Sequence, residues 1–318
     1  MEYNKSSGRV LKKAAWAIAL LFILMNIVAA NHAYKFTHFC DGGTRTERLN
    51  LSFANKVKLL FTGVDNPRPF NTARPSHLYK TVVLQSNVPI ECWYIPTGET
   101  AKGTVLLFHG YTSNRSELLD RAEVFLQAGY NCLLTDFMGS GGSGGSQTTI
   151  GYFEAEEVKD CFNYIKGNGE QHVYLYGSSM GAVAIMKAIK DYQLQPERTI
   201  IECPFGTMYQ TVCARFDMLH VPRFPMAGIL LFWGSVENRF WGFSHNPEEY
   251  ARHIKCPVLL QYGAHDDRVS RPETDAIFNN LAGPKKLIVY PDAGHDNYLL
   301  KCKDEWSNNV TAFLDHGI

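Results

Sequence analysis

Val173-Tyr174-Leu175-Tyr176-Gly177-Ser178-Ser179-Met180-Gly181 runs directly into a helical pattern from Ala182 to Lys190. A short apolar run, a sharp turn and a helix follow one another without a linker. Ser179 stands at the apex, flanked by Gly177 and Gly181. A residue at such an apex is held in a strained backbone region, and only small neighbours fit around it. The turn pushes the Ser179 Oγ clear of a sheet. It also places the Met180 N–H at a helix N-terminus, where free N–H groups and a partial positive charge favour an anion. A glycine-rich turn that only packs a helix on a sheet would read the same way, so the rest of the chain decides.

Upstream and downstream, strand patterns alternate with helical ones. Residues 79–85 and 89–95 read as strands joined by the turn Ser86-Asn87-Val88, and 104–108 is an apolar run suited to a strand buried on both faces. Helical spacing over 116–128, 150–166, 180–189, 272–281 and 304–314 is interleaved with strand-like runs at 132–135, 173–176, 199–202, 257–262 and 286–290. This alternation predicts an α/β fold with a mostly parallel central sheet, helices on both faces and an antiparallel hairpin first. Residues 204–250 break the pattern. They are rich in Phe, Trp and Met, and a structureless stretch of that length is improbable in a compact domain. Short helices forming a lid are expected there, with aromatic side chains lining an apolar pocket or packing the insertion on the domain.

A serine hydroxyl needs an adjacent base to act as a nucleophile at neutral pH, and a histidine base needs an acid to hold its tautomer. In an open parallel sheet these groups converge at the carboxyl ends of strands. Two loops qualify: Gly263-Ala264-His265-Asp266-Asp267-Arg268-Val269, and Pro291-Asp292-Ala293-Gly294-His295-Asp296-Asn297-Tyr298. The order serine, acid, histidine is the one this strand–turn–helix arrangement calls for. His295 is preferred to His265 by Gly294 before it and by its place after the last strand. Asp267 and Glu202, which ends its own strand, are the alternative acids.

With these motifs together, the chain resembles the α/β-hydrolase superfamily, and within it the serine-aminopeptidase-like and lysophospholipase-like branch, whose members are often membrane-anchored. The resemblance covers about three quarters of the chain, from near Tyr79 to the C-terminus. It rests on Phe108-His109-Gly110-Tyr111, Asp136-Phe137-Met138-Gly139-Ser140-Gly141-Gly142-Ser143, Gly177 to Gly181, Gly263 to Val269, and Gly294-His295. It implies Ser179 as nucleophile, His295 as base and Asp266, by the Gly-x-x-Asp-x-x-Val spacing, as acid. The N–H groups of Tyr111 and Met180 would form the oxyanion hole, and no cofactor is required. Met138 stands where many relatives carry arginine, which bears on how that loop is anchored. His109 is expected to order its loop.

Formal net charge is zero, and no basic block lies beyond the N-terminus, so a nucleic-acid partner is not expected. The eight cysteines are scattered without a C-x-x-C pair, and the histidines lack metal-site spacing. The glycine-rich stretch at 139–145 lacks the lysine of a phosphate-binding loop. Lys5, Arg9, Lys12 and Lys13 precede an apolar run from Ala14 to Ala30, broken only by Asn26. Two readings fit: an uncleaved signal anchor with a cytoplasmic N-terminus, or a signal peptide cut after Ala30, with Val28 and Ala30 at the small-residue positions. The length of the run favours the anchor. Either reading puts the catalytic domain outside the cytoplasm.

The expected organisation is a membrane segment at 1–30, a juxtamembrane connector at 31–76 and a hydrolase domain at 77–318 with its lid at about 204–250. Leu49, Phe53, Val57, Leu60 and Phe61 recur at helical spacing within the connector. Hydrolysis of a carboxylic ester with an acyl or lysolipid-like group is the favoured activity. A peptidase, with Glu237, Glu248 or Arg239 capturing a peptide terminus, is the alternative. A non-catalytic binding protein would ordinarily have lost one of the three site residues. Nothing in the sequence sets an oligomeric state.

Overall fold

The computed structural model describes residues 3–42, 53–98 and 100–318. Eight strands form one sheet: β1 (Lys80–Gln85), β2 (Pro89–Ile95), β3 (Thr104–Phe108), β4 (Asn131–Thr135), β5 (Val173–Ser178), β6 (Arg198–Glu202), β7 (Val258–Gly263) and β8 (Lys285–Tyr290). Their order is β1-β2-β4-β3-β5-β6-β7-β8. The β1–β2 and β2–β4 pairs are antiparallel and all later pairs are parallel. The helices are α1 (Tyr3–Thr37), α2 (Phe53–Thr62), α3 (Leu119–Gln127), α4 (Glu154–Gly167), α5 (Met180–Tyr192), α6 (Met208–Met218), α7 (Met226–Glu237), α8 (Pro247–Tyr250), α9 (Arg271–Asn280), α10 (Tyr298–Lys301) and α11 (Lys303–His316). This is the α/β-hydrolase fold, with α6 to α8 as the lid-like insertion.

Strand composition follows from burial. Every residue of β3 and β7 is buried, so both read as mainly apolar runs rather than as alternating ones, and the buried Gln261 of β7 accepts the Tyr290 hydroxyl. Two apolar layers cover the sheet. On one face, Val158, Phe162 and Ile165 of α4 and the small, apolar α5 pack against Leu106, Leu175 and Leu260. On the other, Phe125 of α3 and Trp306, Val310 and Phe313 of α11 pack against Leu107, Tyr176 and Leu259. Each fully buried Leu, Ile or Phe is worth about 1.5–3 kcal/mol relative to exposure.

Two boundaries differ from the sequence reading by four residues or more. Helix α4 starts at Glu154 rather than near residue 150, because the Glu154 carboxylate binds the preceding turn. It accepts hydrogen bonds from the Thr149 and Gly151 N–H groups at 2.9 and 3.0 Å and from both threonine hydroxyls of Thr148-Thr149. Helix α1 does not stop at Ala30 but continues to Thr37. Its stretch Gly8–Thr37 is long and apolar enough to be a membrane span or a signal sequence. The predicted amphipathic pattern begins at Leu49, which lies outside the described residues. Its later part is α2, beside α1.

The final turns of α1 dock on α7. Ala29 and Ala33 are buried, and the Ala33 Cβ lies 3.9 Å from where a side chain on Gly234 would begin. Trp233 Nε1–H donates to Asn26 Oδ1 at 3.0 Å, and Asn238 Nδ2–H donates to Thr37 Oγ1 at 3.1 Å. Residues 38–40 then bridge to the domain at Gln147 and Pro67.

Candidate active site

Between β5 and α5, Ser179 takes φ 50° and ψ −111°. This is a region costing on the order of 1–3 kcal/mol for a residue with a side chain. The flanking glycines are explained by space. A Cβ on Gly177 would lie 2.6 Å from the Gly181 carbonyl carbon, and one on Gly181 would run into the Phe108 carbonyl oxygen. A side chain at either position would push α5 off the sheet.

The loops after β7 and β8 are stitched together. Ala264 N–H donates to Tyr290 O and His265 N–H to Ala293 O, each at 2.9 Å. Gly263 packs so tightly on Gly294 that a Cβ there would collide with the Gly294 carbonyl oxygen. This brings Asp266 to His295. The Asp266 carboxylate is fully buried, and its Oδ1 accepts the N–H groups of Arg268 and Val269 at 2.8 Å each. The buried Val269 side chain locks that turn, which accounts for the three-residue spacing from Asp to Val. The His295 Nδ1–H donates to Asp266 Oδ2 at 2.8 Å. That leaves Nε2 as acceptor for the Ser179 hydroxyl at 3.1 Å. The structure therefore brings Ser179, His295 and Asp266 into one hydrogen-bonded chain. Asp267 points to solvent with its side chain 66% exposed, and His265 is also exposed. Glu202 lies buried below, accepting the Trp306 Nε1–H at 2.6 Å.

Burial alone would lower the His295 pKa. The Cys203 sulfur and the Asp266 carboxylate outweigh that effect and hold it above the ordinary imidazole value. Cys203, one of the scattered cysteines, is a site neighbour that no sequence motif marked. Its Sγ lies 4.0 Å from His295 Nε2, and its backbone has φ 40°. Cys203, Asp266 and His295 also offer ligand-type atoms within 4.8 Å of one another. The Asp266 carboxylate is already engaged by the imidazole and two backbone N–H groups, so this donor set suits a proton relay better than a metal.

The opposite wall is the loop after β3. Gly110 approaches Ser179 so closely that a side chain there would begin 3.6 Å from the Ser179 Cβ. This brings Tyr111 to the mouth of the site. His109 is fully buried, with Nδ1–H donating to Gly110 O at 2.8 Å and Nε2 accepting the Phe137 N–H at 3.1 Å. Burial lowers its pKa, so it is a neutral brace for the loop. The Tyr111 hydroxyl donates to Phe36 O at 2.6 Å and accepts from Asn66 Nδ2–H at 3.0 Å, while its ring stacks on Phe36 at 4.8 Å. Met180 is the first residue of α5, where a helical N–H has no intrahelical partner.

Met138 is buried rather than anchoring its loop by charge. That anchoring falls to Arg115, which pairs with Glu91 and Asp136 and lies over the Trp93 ring at 4.1 Å. Sequence alone gave no sign of this arginine.

A cavity of about 600 Å³ opens over Ser179 and His295. Of the two roles expected for the aromatic side chains of 204–250, lining a pocket and packing the insertion, the first falls to Phe205, and the pocket is more polar than expected. Phe205 is the lid aromatic on its wall, beside Thr211 and Arg215 of α6, and Glu117, Asp120 and Arg268 line other parts. Phe240 instead stacks on Tyr152 at 4.3 Å, packing the lid on the domain. Glu237, Glu248 and Arg239, considered for capturing a peptide terminus, do not line this cavity. All eight cysteines are free thiols.

The family model described as serine aminopeptidase, S33, matches residues 99–249. That span includes Tyr111, Ser179 and Met180 but ends before Asp266 and His295. The chain is 26% identical over 217 residues to the uncharacterized protein YqkD of Bacillus subtilis, covering 67% of this chain and 71% of that one. It is 22% identical to the uncharacterized protein YfhR of Escherichia coli K12 over 71% of this chain and 76% of that one. Among solved structures, the Pyrococcus furiosus esterase Pf2001 superposes with a TM-score of 0.66 at 27% identity, covering 78% of this chain and 96% of the esterase. Est1E of Butyrivibrio proteoclasticus, solved with ferulic acid bound, gives a TM-score of 0.58 at 16% identity and covers 73% of this chain and 97% of its own, a likeness of fold.

Proposed function

We propose that this chain, an α/β-hydrolase-fold protein, is a serine hydrolase that cleaves carboxylic esters through an acyl-enzyme intermediate. The 3.1 Å approach of Ser179 Oγ to His295 Nε2, with Asp266 held against Nδ1, carries the reading. Ser179 Oγ attacks the ester carbonyl while His295 Nε2 takes its proton, and Asp266 stabilises the imidazolium. The N–H groups of Met180 and Tyr111 receive the negative charge that develops on the carbonyl oxygen. Collapse of the tetrahedral species expels the alcohol, which leaves with the proton from His295. Water, deprotonated by His295, then attacks the acyl group, and Ser179 recovers its proton as the acid departs. The likeness to the Pyrococcus esterase supports an ester over an amide. The polar groups around the cavity suit an acyl or lysolipid-like substrate with a hydrophilic end.

A peptidase reading is favoured by one observation: Glu117, Asp120 and Asp296 line the cavity and could pair with a free amine. A matched panel of short acyl esters and aminoacyl amides separates the two. Ser179→Ala is expected to abolish p-nitrophenyl acetate turnover and fluorophosphonate labelling while leaving the thermal transition within a few degrees. Retained turnover would remove Ser179 from its role.

The N-terminal helix is read as a retained anchor. Cleavage after Ala30 would cut α1 within its docked end, separating buried Ala29 from buried Ala33 and Thr37. Lys12 and Lys13 then mark the cytoplasmic end, and the catalytic domain lies outside. Intact mass of the protein extracted from membranes, and a reporter fused after Ile318, test retention and orientation.

A further inference from the structure

We propose that the lid helix α7 and the loop before it sit in the outer leaflet of the bilayer that α1 crosses, so that the site draws its ester from amphiphiles in that leaflet. The proposal rests on the reading of α1 as a retained anchor and of Ser179 as the nucleophile.

The first observation is the composition of α7. Between Met226 and Val236 it carries no charged residue. Ala227, Leu231 and Ser235 face the domain, while Gly234 lies against Ala33 of α1. The remaining face presents Ile229, Phe232 and Val236 outward, with Phe232 and Val236 exposed. A helix at a water boundary carries polar residues on its outer face, whereas one that is apolar all round is shielded from water. The preceding loop continues the surface with exposed Leu219, Val221 and Phe224, the last 88% exposed. Its one cation, Arg223, is neutralised by Asp217, with Nε to Oδ1 at 2.6 Å.

The second observation is register. Gly234 meets Ala33 and Asn238 meets Thr37, a step of four residues on both helices, so α1 and α7 run parallel. Counted from Lys13, a hydrocarbon core of about 30 Å takes about 20 helical residues and ends near Ala33. Met226 is eight residues before Gly234, so the start of α7 lies on the order of 12 Å closer to the bilayer centre than that boundary. The apolar surface of α7 is therefore continuous with the span itself rather than displaced from it.

The third observation connects this surface to the chemistry. Phe36 lies one turn beyond Ala33. Its carbonyl accepts the Tyr111 hydroxyl, and the Arg215 guanidinium lies 5.5 Å from its ring centroid. Tyr111 and Arg215 both line the cavity over Ser179. The cavity therefore opens at headgroup height, where the ester of an amphiphile is held while its chain stays in the leaflet.

The full chain reconstituted in phosphatidylcholine vesicles tests this, with a benzophenone amino acid placed at Phe224 or Phe232. Leu21 in α1 is the positive control. Exposed Ile318, next to Gly317, which packs on Arg198 at the start of β6 and so at the end of the sheet opposite the site, is the negative control. Photolysis is expected to label Leu21, Phe224 and Phe232 with lipid and to leave Ile318 unlabelled. Labelling at Leu21 without labelling at Phe224 and Phe232 overturns the proposal and leaves the anchor standing; no labelling at Leu21 overturns both. In parallel, Phe224→Asp is expected to lower turnover of a vesicle-borne fluorogenic acyl ester at least tenfold, with p-nitrophenyl acetate turnover unchanged. Equal rates on both substrates in the variant and the parent refute the leaflet route while leaving the hydrolase reading intact.

Discussion

Asp266→Asn offers the sharpest test of the relay, because the substitution preserves one set of contacts and inverts another. The asparagine carbonyl can still accept the Arg268 and Val269 N–H groups, now made by Oδ1 at 2.8 Å each, so the turn after β7 keeps its shape. The amide nitrogen then faces His295 Nδ1, where the carboxylate accepts a hydrogen bond at 2.8 Å. Two donors cannot face each other, so the imidazole moves its proton to Nε2 and can no longer accept from Ser179. The cost of that wrong tautomer in a serine triad is about 10⁴-fold in kcat. This corresponds to about 5.4 kcal/mol of transition-state stabilisation. Stability should fall by no more than about 3 kcal/mol, the worth of one hydrogen bond to a charged group. The assay is kcat on p-nitrophenyl acetate beside a thermal melt, with Asp267→Asn as control. Because Asp267 is 66% exposed, its variant should stay within about twofold of the parent. An Asp266→Asn enzyme within tenfold of the parent would refute the assignment, and a large loss in the control alone would transfer the role to Asp267.

Two further predictions concern titration. The His295 pKa is held above the ordinary imidazole value by Cys203 and Asp266 against the effect of burial, so the acid limb of kcat/KM should lie above about pH 6.5. Cys203→Ala should move that limb to lower pH, and an unmoved limb counts against the contact. Burial raises the Glu202 pKa despite Arg121 and the Trp306 hydrogen bond. A carboxyl whose folded pKa exceeds its unfolded one stabilises the fold fully below the unfolded pKa and loses that contribution as pH rises through the folded pKa. Glu202→Gln keeps the acceptor for Trp306 and stays neutral. Its melting temperature should gain on the parent as pH rises from 4 to 8, and a gap independent of pH would contradict this.

The strands and the site loops were legible because local signals agreed. Apolar runs such as β3 and β7 belong to strands covered on both faces, and Gly177, Gly181 and Gly263 each stand where a Cβ would collide with backbone. What could not be read depends on orientation or on distant partners. The aromatic richness of 204–250 reveals that a surface leaves water, but not which side each ring faces, so Phe205 alone of those rings reaches the cavity. The hydrogen bond from Tyr111 to Phe36 spans 75 residues, and neither residue carries a pattern that names the other. Arg115, buried between Glu91, Asp136 and Trp93, looks in sequence like any helix-start cation. The start of α4 is hidden in the sequence because Glu154 turns its carboxylate back on Thr148 to Gly151, a contact that helical periodicity does not register.

The contact between Phe36 and Tyr111 limits how such a chain can be reshuffled in evolution or in the laboratory. A membrane segment joined to an enzyme by a loose tether can be exchanged for any other of similar length, because nothing in the enzyme remembers it. Here residues from Asn26 to Cys40 meet Trp233, Gly234, Asn238, Tyr111 and Pro67, which belong to different parts of the fold. A crossover placed at the apparent border near residue 30 would join a foreign helix to a surface shaped for this one. The inheritable unit therefore begins within the span, several turns before the sequence first looks like an enzyme.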